Sequence, residues 1–183
     1  MLISSTLEAL GTAKNNKYKH MKLSRNAGII LLIIFNIAID QISKIVVRQS
    51  IDARERIEVI GEFFQMMNVE NTGAFLGMGS DMSPILKLIF LLILPVIVLG
   101  YLIYYIITTK DLDRLSLIAL SCIAGGGIAN VFDRIAFGSV TDFFYLYIND
   151  TIRTGIFNVA DMSVTFGMIA LLFTTFFAKK KSK

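Results

Sequence analysis

The sequence predicts an all-α membrane protein of four transmembrane helices that carries a small extracytoplasmic antiparallel β-sheet. Three observations point there. The 183-residue chain is 55% hydrophobic, with a mean hydropathy of +0.66 and two prolines, which is too apolar for a soluble domain. Its apolar residues gather into four stretches, each about long enough to cross the roughly 30 Å hydrocarbon layer. Charge is sorted between the ends and the middle. Lys14, Lys17, Lys19, Lys22 and Arg25 outnumber Glu8 at the start, and Lys179, Lys180, Lys181 and Lys183 close the chain, whereas 48–87 and 133–161 each sum to −2. This is a positive-inside pattern with both termini cytoplasmic. The net charge of +4 lies on tails flanking apolar spans, so a nucleic-acid groove is not expected.

Residues 1–20 read as a polar, dispensable tail, and 21–183 as a single integral membrane domain with helices at about 27–47, 84–109, 115–132 and 158–178. The first span is interrupted by Asn36, Asp40, Gln41, Ser43 and Lys44. A cleaved signal peptide is the competing reading, but no A-x-A pattern follows. Residues 48–83 hold six acids and alternate weakly, as in Arg56-Ile57-Glu58-Val59, which suits a short antiparallel sheet outside the membrane. Gly61 and Asn71-Thr72-Gly73 are the expected turns, and Ser83-Pro84 an N-cap followed by proline at the first helical position. The second span is uncharged from Leu88 to Thr109, and 110–114 is a short cytoplasmic loop. In the third, Gly125-Gly126-Gly127 and Ala129 predict close helix–helix contact rather than a phosphate loop. Asp133–Phe157 reads as a second external stretch.

The polar residues are candidates for chemistry because an ionised group in apolar surroundings costs several kcal/mol unless it is paired, solvated or protonated. Counting 1.5 Å per residue from the cytoplasmic ends puts Asp133 and Asp161 about 26–29 Å away, near the outer boundary, and Asp40 in the outer third. Asp142 follows within nine residues of Asp133. Each motif also has a plainer account. Asn158-Val159-Ala160-Asp161 has the form of a capping box. Asp40 and Lys44 are spaced for an intrahelical pair, Asp133-Arg134 could pair locally, and Asn71-Thr72-Gly73 could be only a turn. Independent structural roles would leave their shared depth a coincidence. One Cys122, in an apolar run, and one His20, in the tail, leave no internal disulfide, no Cys/His metal site and no histidine-based catalyst. A carboxylate pair that shares one proton can activate water as base and protonate a leaving group as acid without either.

Asp40-x-x-Ser43-Lys44, Asn71-x-Gly73-Ala74-Phe75, Gly125 to Asn130-x-x-Asp133-Arg134, Val140-x-Asp142-Phe143 and Phe157-Asn158-x-Ala160-Asp161 resemble, in order and spacing, the five motifs of bacterial lipoprotein signal peptidase, or signal peptidase II. The resemblance covers about Met21 to the C-terminus. It implies an aspartic endopeptidase of the bacterial inner membrane that acts near the outer face. Such an enzyme cuts diacylglyceryl-modified prolipoproteins before the lipidated cysteine and is blocked by globomycin. It implies a catalytic dyad of Asp142 and Asp161, substrate-binding Asn71, Gly73, Asn130, Arg134 and Asn158, and supporting Asp40, Lys44 and Asp133. It also implies a lid at residues 74–80, no metal or other cofactor, membrane-lipid contact and a monomer. Thr141 departs from the family by occupying a place often held by a branched apolar residue, and Ala74-Phe75-Leu76 stands where two alanines are common. A small proton-coupled membrane transporter is the alternative, although such proteins place their acids near the midplane in repeated or broken helices, and no repeat is visible here.

Overall fold

The computed structural model describes residues 24–53, 55–74 and 78–178. The N-terminal tail, the lysine tail and Phe75, Leu76 and Gly77 of the expected lid lie outside the described residues.

Among the described residues, four helices are long and apolar enough to cross a membrane: α1 (Arg25–Ser50), α2 (Pro84–Thr108), α3 (Arg114–Phe137) and α4 (Val159–Ala178). Each beginning has a local cause. The Ser24 hydroxyl accepts from the Ala27 N–H at the head of α1, Ser83 precedes Pro84 as an N-cap for α2, and Asp113 Oδ1 accepts from the Leu115 and Ser116 amides of α3. Within α2 the stretch Leu88–Ile93 widens into π-helix just before Pro95, with the Leu94 N–H reaching back to the Ile89 carbonyl. The proline has no N–H for the α-helical ladder, and a wider turn is one way to absorb that loss.

α3 is the hub of the bundle, and its glycines explain how. A Cβ on Gly125 would fall 2.7 Å from the Asn36 Cβ of α1, one on Gly126 2.5 Å from the Ala160 carbonyl of α4, and one on Gly127 2.5 Å from a Leu99 methyl of α2. Three successive residues therefore each admit a different helix, the packing device of membrane bundles, where close backbone approach supplies the attraction. The outward faces are apolar and open, as at Phe35, Ile97 and Phe176. That inversion of a soluble fold matches a hydrocarbon surround.

Among the described residues, three strands form one antiparallel sheet in the order β1 (Arg56–Ile60), β2 (Phe64–Asn71), β3 (Val140–Leu146). Val69 lies opposite Asp142, Glu70 opposite Thr141 and Asn71 opposite Val140. Phe143, packed with Val47 and Ile51 and flanked by Met66 and Val159, roots the sheet in the helices.

Two features differ from the expectation. The third helix runs on to Phe137, so Asp133 and Arg134 belong to the helix and not to the connection after it, and it ends where Gly138 adopts φ +77° and donates to the Arg134 carbonyl. The sheet also takes its third strand from the second external stretch.

Candidate active site

Asp142 sits on β3 and Asp161 in the first turn of α4. The backbone joins them through a short antiparallel bridge: Phe157 donates to the Phe144 carbonyl at 3.0 Å, and the Phe143 and Phe144 amides donate to the Phe157 carbonyl at 3.0 and 2.8 Å. The residue after Phe157 is Asn158. Its Oδ1 accepts from the Asp161 amide at 2.9 Å while its own N–H donates to Asp161 Oδ2 at 3.2 Å, a reciprocal cap. The same side chain donates through Nδ2 to Asp142 Oδ1 at 2.6 Å. Capping and site construction are therefore one arrangement, not alternatives.

Each carboxylate of the pair accepts from two groups. Asp142 takes Asn158 on Oδ1 and Asn71 Nδ2 on Oδ2 at 2.8 Å. Asp161 takes Asn130 Nδ2 on Oδ1 at 2.9 Å and the Asn158 amide on Oδ2. All are neutral donors, and neither aspartate has an ion-pair partner among the described residues. Burial pushes the Asp142 carboxyl up to about 7; the Asn71 hydrogen bond opposes this and the Asp161 charge reinforces it.

Behind the pair lies a buried ionic cluster. Lys44 Nζ lies 2.6 Å from Asp40 Oδ2 and 2.7 Å from Asp133 Oδ2, and it donates to Asn130 Oδ1 at 2.9 Å. All three charged side chains are fully buried. The pair expected within α1 exists but is not self-contained, because Asp133 of α3 shares the lysine. Asp133 Oδ1 also accepts from Gln41, and Asp40 Oδ1 from the Ala160 amide at the start of α4. Lys44 has only protons to offer, so Asn130 must turn its oxygen toward the lysine and its amide toward Asp161. The lysine thereby orients a group that touches the candidate dyad.

Arg134 points away from its neighbour Asp133 and makes no ion pair among the described residues. It donates to the Gly73 carbonyl at 2.8 Å and to the Asn130 carbonyl at 3.3 Å. The alternative of a local Asp133–Arg134 pair is not what forms. Asn71-Thr72-Gly73 is indeed a turn, closed by the Gly73 amide on Asn71 Oδ1 at 2.8 Å, and it too belongs to the site. Both backbone polar groups of Gly73 are engaged within the protein.

The two aspartates, Asn71, Asn130 and Arg134 face a cavity of about 640 Å³ walled by Phe90 and Leu91 of α2 and by Val164, Met168 and Leu172 of α4. Its polar groups gather at the end nearest the sheet, while α4 extends the apolar wall along the bundle.

Sequence reasoning missed a second polar group beside Asp142. Arg48 Nε donates to Thr141 Oγ1 at 2.8 Å, Thr141 donates to Glu70 Oε1 at 2.8 Å, and Ser139 donates to Glu70 Oε2 at 2.5 Å. Arg48 also lies over the Phe137 ring, 4.1 Å from its centre. This network pins β2 and β3 to the ends of α1 and α3. Its one sequence signal was the polar Thr141 at a place where an apolar residue is common.

Comparison with known proteins follows the same residues. A family described as Signal peptidase (SPase) II matches 32–177, a span that contains every candidate site residue. The lipoprotein signal peptidase of Moorella thermoacetica is 35% identical over 142 residues, covering 78% of this chain and 88% of that protein. That of Borrelia hermsii is 33% identical over 169 residues, covering 88% and 98%. A solved structure described as a bacterial membrane enzyme superposes with a TM-score of 0.74 at 28% identity, covering 85% of this chain and 92% of the other.

Proposed function

The chain belongs to the signal peptidase II family, and on that premise we propose that it is an aspartic endopeptidase that removes signal peptides from diacylglyceryl-modified prolipoproteins by cutting before the lipidated cysteine. The observation that carries this reading is the linking of Asp142 and Asp161 by Asn158, which donates to one through its side-chain amide and to the other through its backbone N–H, at the polar end of an apolar cavity. The apolar walls suit a signal peptide. A substrate held in the membrane by acyl chains brings its scissile bond to the outer boundary, the depth at which these acids lie. The enzyme would reside in the bacterial cytoplasmic membrane with both termini inside.

The chemistry follows from the surroundings of the two acids. Asp161 accepts a backbone N–H in the first turn of α4, where the helix dipole favours an anion, and so acts as the base. Asp142, raised to about 7, holds the shared proton. Water attacks the scissile carbonyl carbon, giving one proton to Asp161 as Asp142 protonates the carbonyl oxygen. In the resulting diol, Asp142 recovers its proton from a hydroxyl while Asp161 passes the other to the cysteine nitrogen. The C–N bond breaks and the pair returns to its starting state. Arg134 and Asn71 hold the substrate backbone, Gly73 steadies Arg134 through its carbonyl, and Asn130 and Asn158 keep the acids aligned.

Purified protein incubated with a precursor peptide bearing the diacylglyceryl thioether should cleave it before the cysteine, with chelator present, and leave the unmodified peptide intact. Globomycin should block the reaction. Equal cleavage of both peptides, or loss of activity in chelator that zinc restores, would contradict the reading.

A further inference from the structure

Asp142 and Asn71 border a second cavity as well, a cleft of about 220 Å³ shared with Thr72, Ser80 and Ile156. It runs beside the last residues of β2, and the sheet is incomplete there. β1 pairs with β2 only up to Met67, Ala53 bridges to Asn68, and from Val69 to Asn71 the strand has a partner on the β3 side alone among the described residues. A strand edge left open presents a row of backbone donors and acceptors to any extended chain laid beside it.

A bond cut at the dyad has two flanks. The large cavity is apolar along α4 and suits the flank before the bond. A third cavity, which meets Asp161 on the other side of α4, is lined by Leu146, Phe157, Met162 and Phe166 and suits hydrocarbon rather than a polar chain. The cleft beside β2 is lined by the polar side chains Glu70, Asn71, Thr72 and Ser80, and it is continuous with Asp142.

We propose that the residues following the lipidated cysteine bind in this cleft as an added β-strand on the open edge of β2 at Val69–Asn71, recognised through main-chain hydrogen bonds rather than side chains. This rests on the peptidase reading above and extends it to the substrate's other flank. A cleft of this volume admits about two residues, so the strand is short. Because successive N–H groups of a strand point to opposite sides, one of the first two residues after the cysteine donates to β2 and the other does not.

The test alters the substrate, leaving the folding of the enzyme untouched. Full-length wild-type protein is given diacylglyceryl-modified precursors N-methylated at the first or at the second residue after the cysteine, each beside its unmethylated parent. The expected result is a loss of about tenfold in kcat/KM at one position and little change at the other, the scale of one lost hydrogen bond. Exchange of Lys, Asp or Ala at the same positions should move kcat/KM by less than about threefold, within the range of exposed charge effects. Equal losses at both positions, or none at either, would overturn the added strand while leaving the peptidase intact. Failure to cleave the unmethylated parent would instead refute the peptidase reading and the strand with it.

Discussion

Two pairs of carboxylates lie on either side of Asn130, and they differ in what stands between them. Asp40 and Asp133 share the ammonium of Lys44, whereas Asp142 and Asp161 are joined by neutral donors, Asn158 giving its side-chain amide to one and its backbone N–H to the other while Asn130 donates to Asp161. Where the shared donor is a cation, both acids are salt-bridged to it and the cluster serves as a fixed electrostatic brace. Where the donors are neutral, like charges in a poorly hydrated site favour the retention of one proton, which makes the pair usable for acid and base work together. The same side chain is inert or reactive according to its partner. Asn130 joins the regions, accepting from the lysine and donating to Asp161.

The sharpest way to separate the regions is to neutralise an acid in each. Asp142→Asn and Asp161→Asn should each lower kcat by about 10³-fold or more, since a dyad works as a unit, with a melting temperature close to wild type because no ion pair is broken. Steady-state cleavage and thermal unfolding in detergent check both halves. In the brace the order reverses. Lys44→Met strands two buried carboxylates and should destabilise the protein by about 3–5 kcal/mol, seen first as a lower melting temperature. Adding Asp40→Asn and Asp133→Asn to that variant should restore much of the stability, and a cluster needed only for folding would then regain its activity too. We expect activity to remain low, because Asn130 has lost the charged one of the two donors that orient its oxygen, keeping only Asn158.

A smaller effect is expected at Arg134, which stands between the regions and pairs with neither. Arg134→Lys keeps the charge but loses the planar fork, so kcat/KM should fall by about tenfold with little change in melting temperature. A lower melting temperature with activity proportional to the folded fraction would instead assign Arg134 to the brace.

What the sequence disclosed follows from how local each cause is. The Ser83 cap, the Asn71 turn and the Asn158–Asp161 box are settled within a few residues and were visible as short patterns, and the Ser24 and Asp113 caps, equally local, went unread. The three glycines of α3 were legible as a packing surface, though not that each faces a different helix. The end of α3 was misplaced because Asp133 and Arg134 look like a boundary. Their partners, Lys44 and the Gly73 carbonyl, lie about 60 to 90 positions away and let both stay helical. β3 was hidden because Val140, Thr141, Asp142 and Phe143 are all buried, which erases the alternation that marks a half-exposed strand. The Arg48–Thr141–Glu70–Ser139 network had the same obstacle, since three separate segments supply it.

The claim that one proton is shared between Asp142 and Asp161 is tested most directly by the pH dependence of kcat/KM for cleavage of a diacylglyceryl-modified precursor, which reports ionisations of the free enzyme. Catalysis requires Asp142 protonated, so activity should fall as pH rises through about 7, by about tenfold for each further unit, and fall again at low pH when Asp161 gains a proton. A rate that keeps rising through neutral pH toward 9, where both carboxylates are ionised, would contradict the shared proton and with it the division between the two pairs.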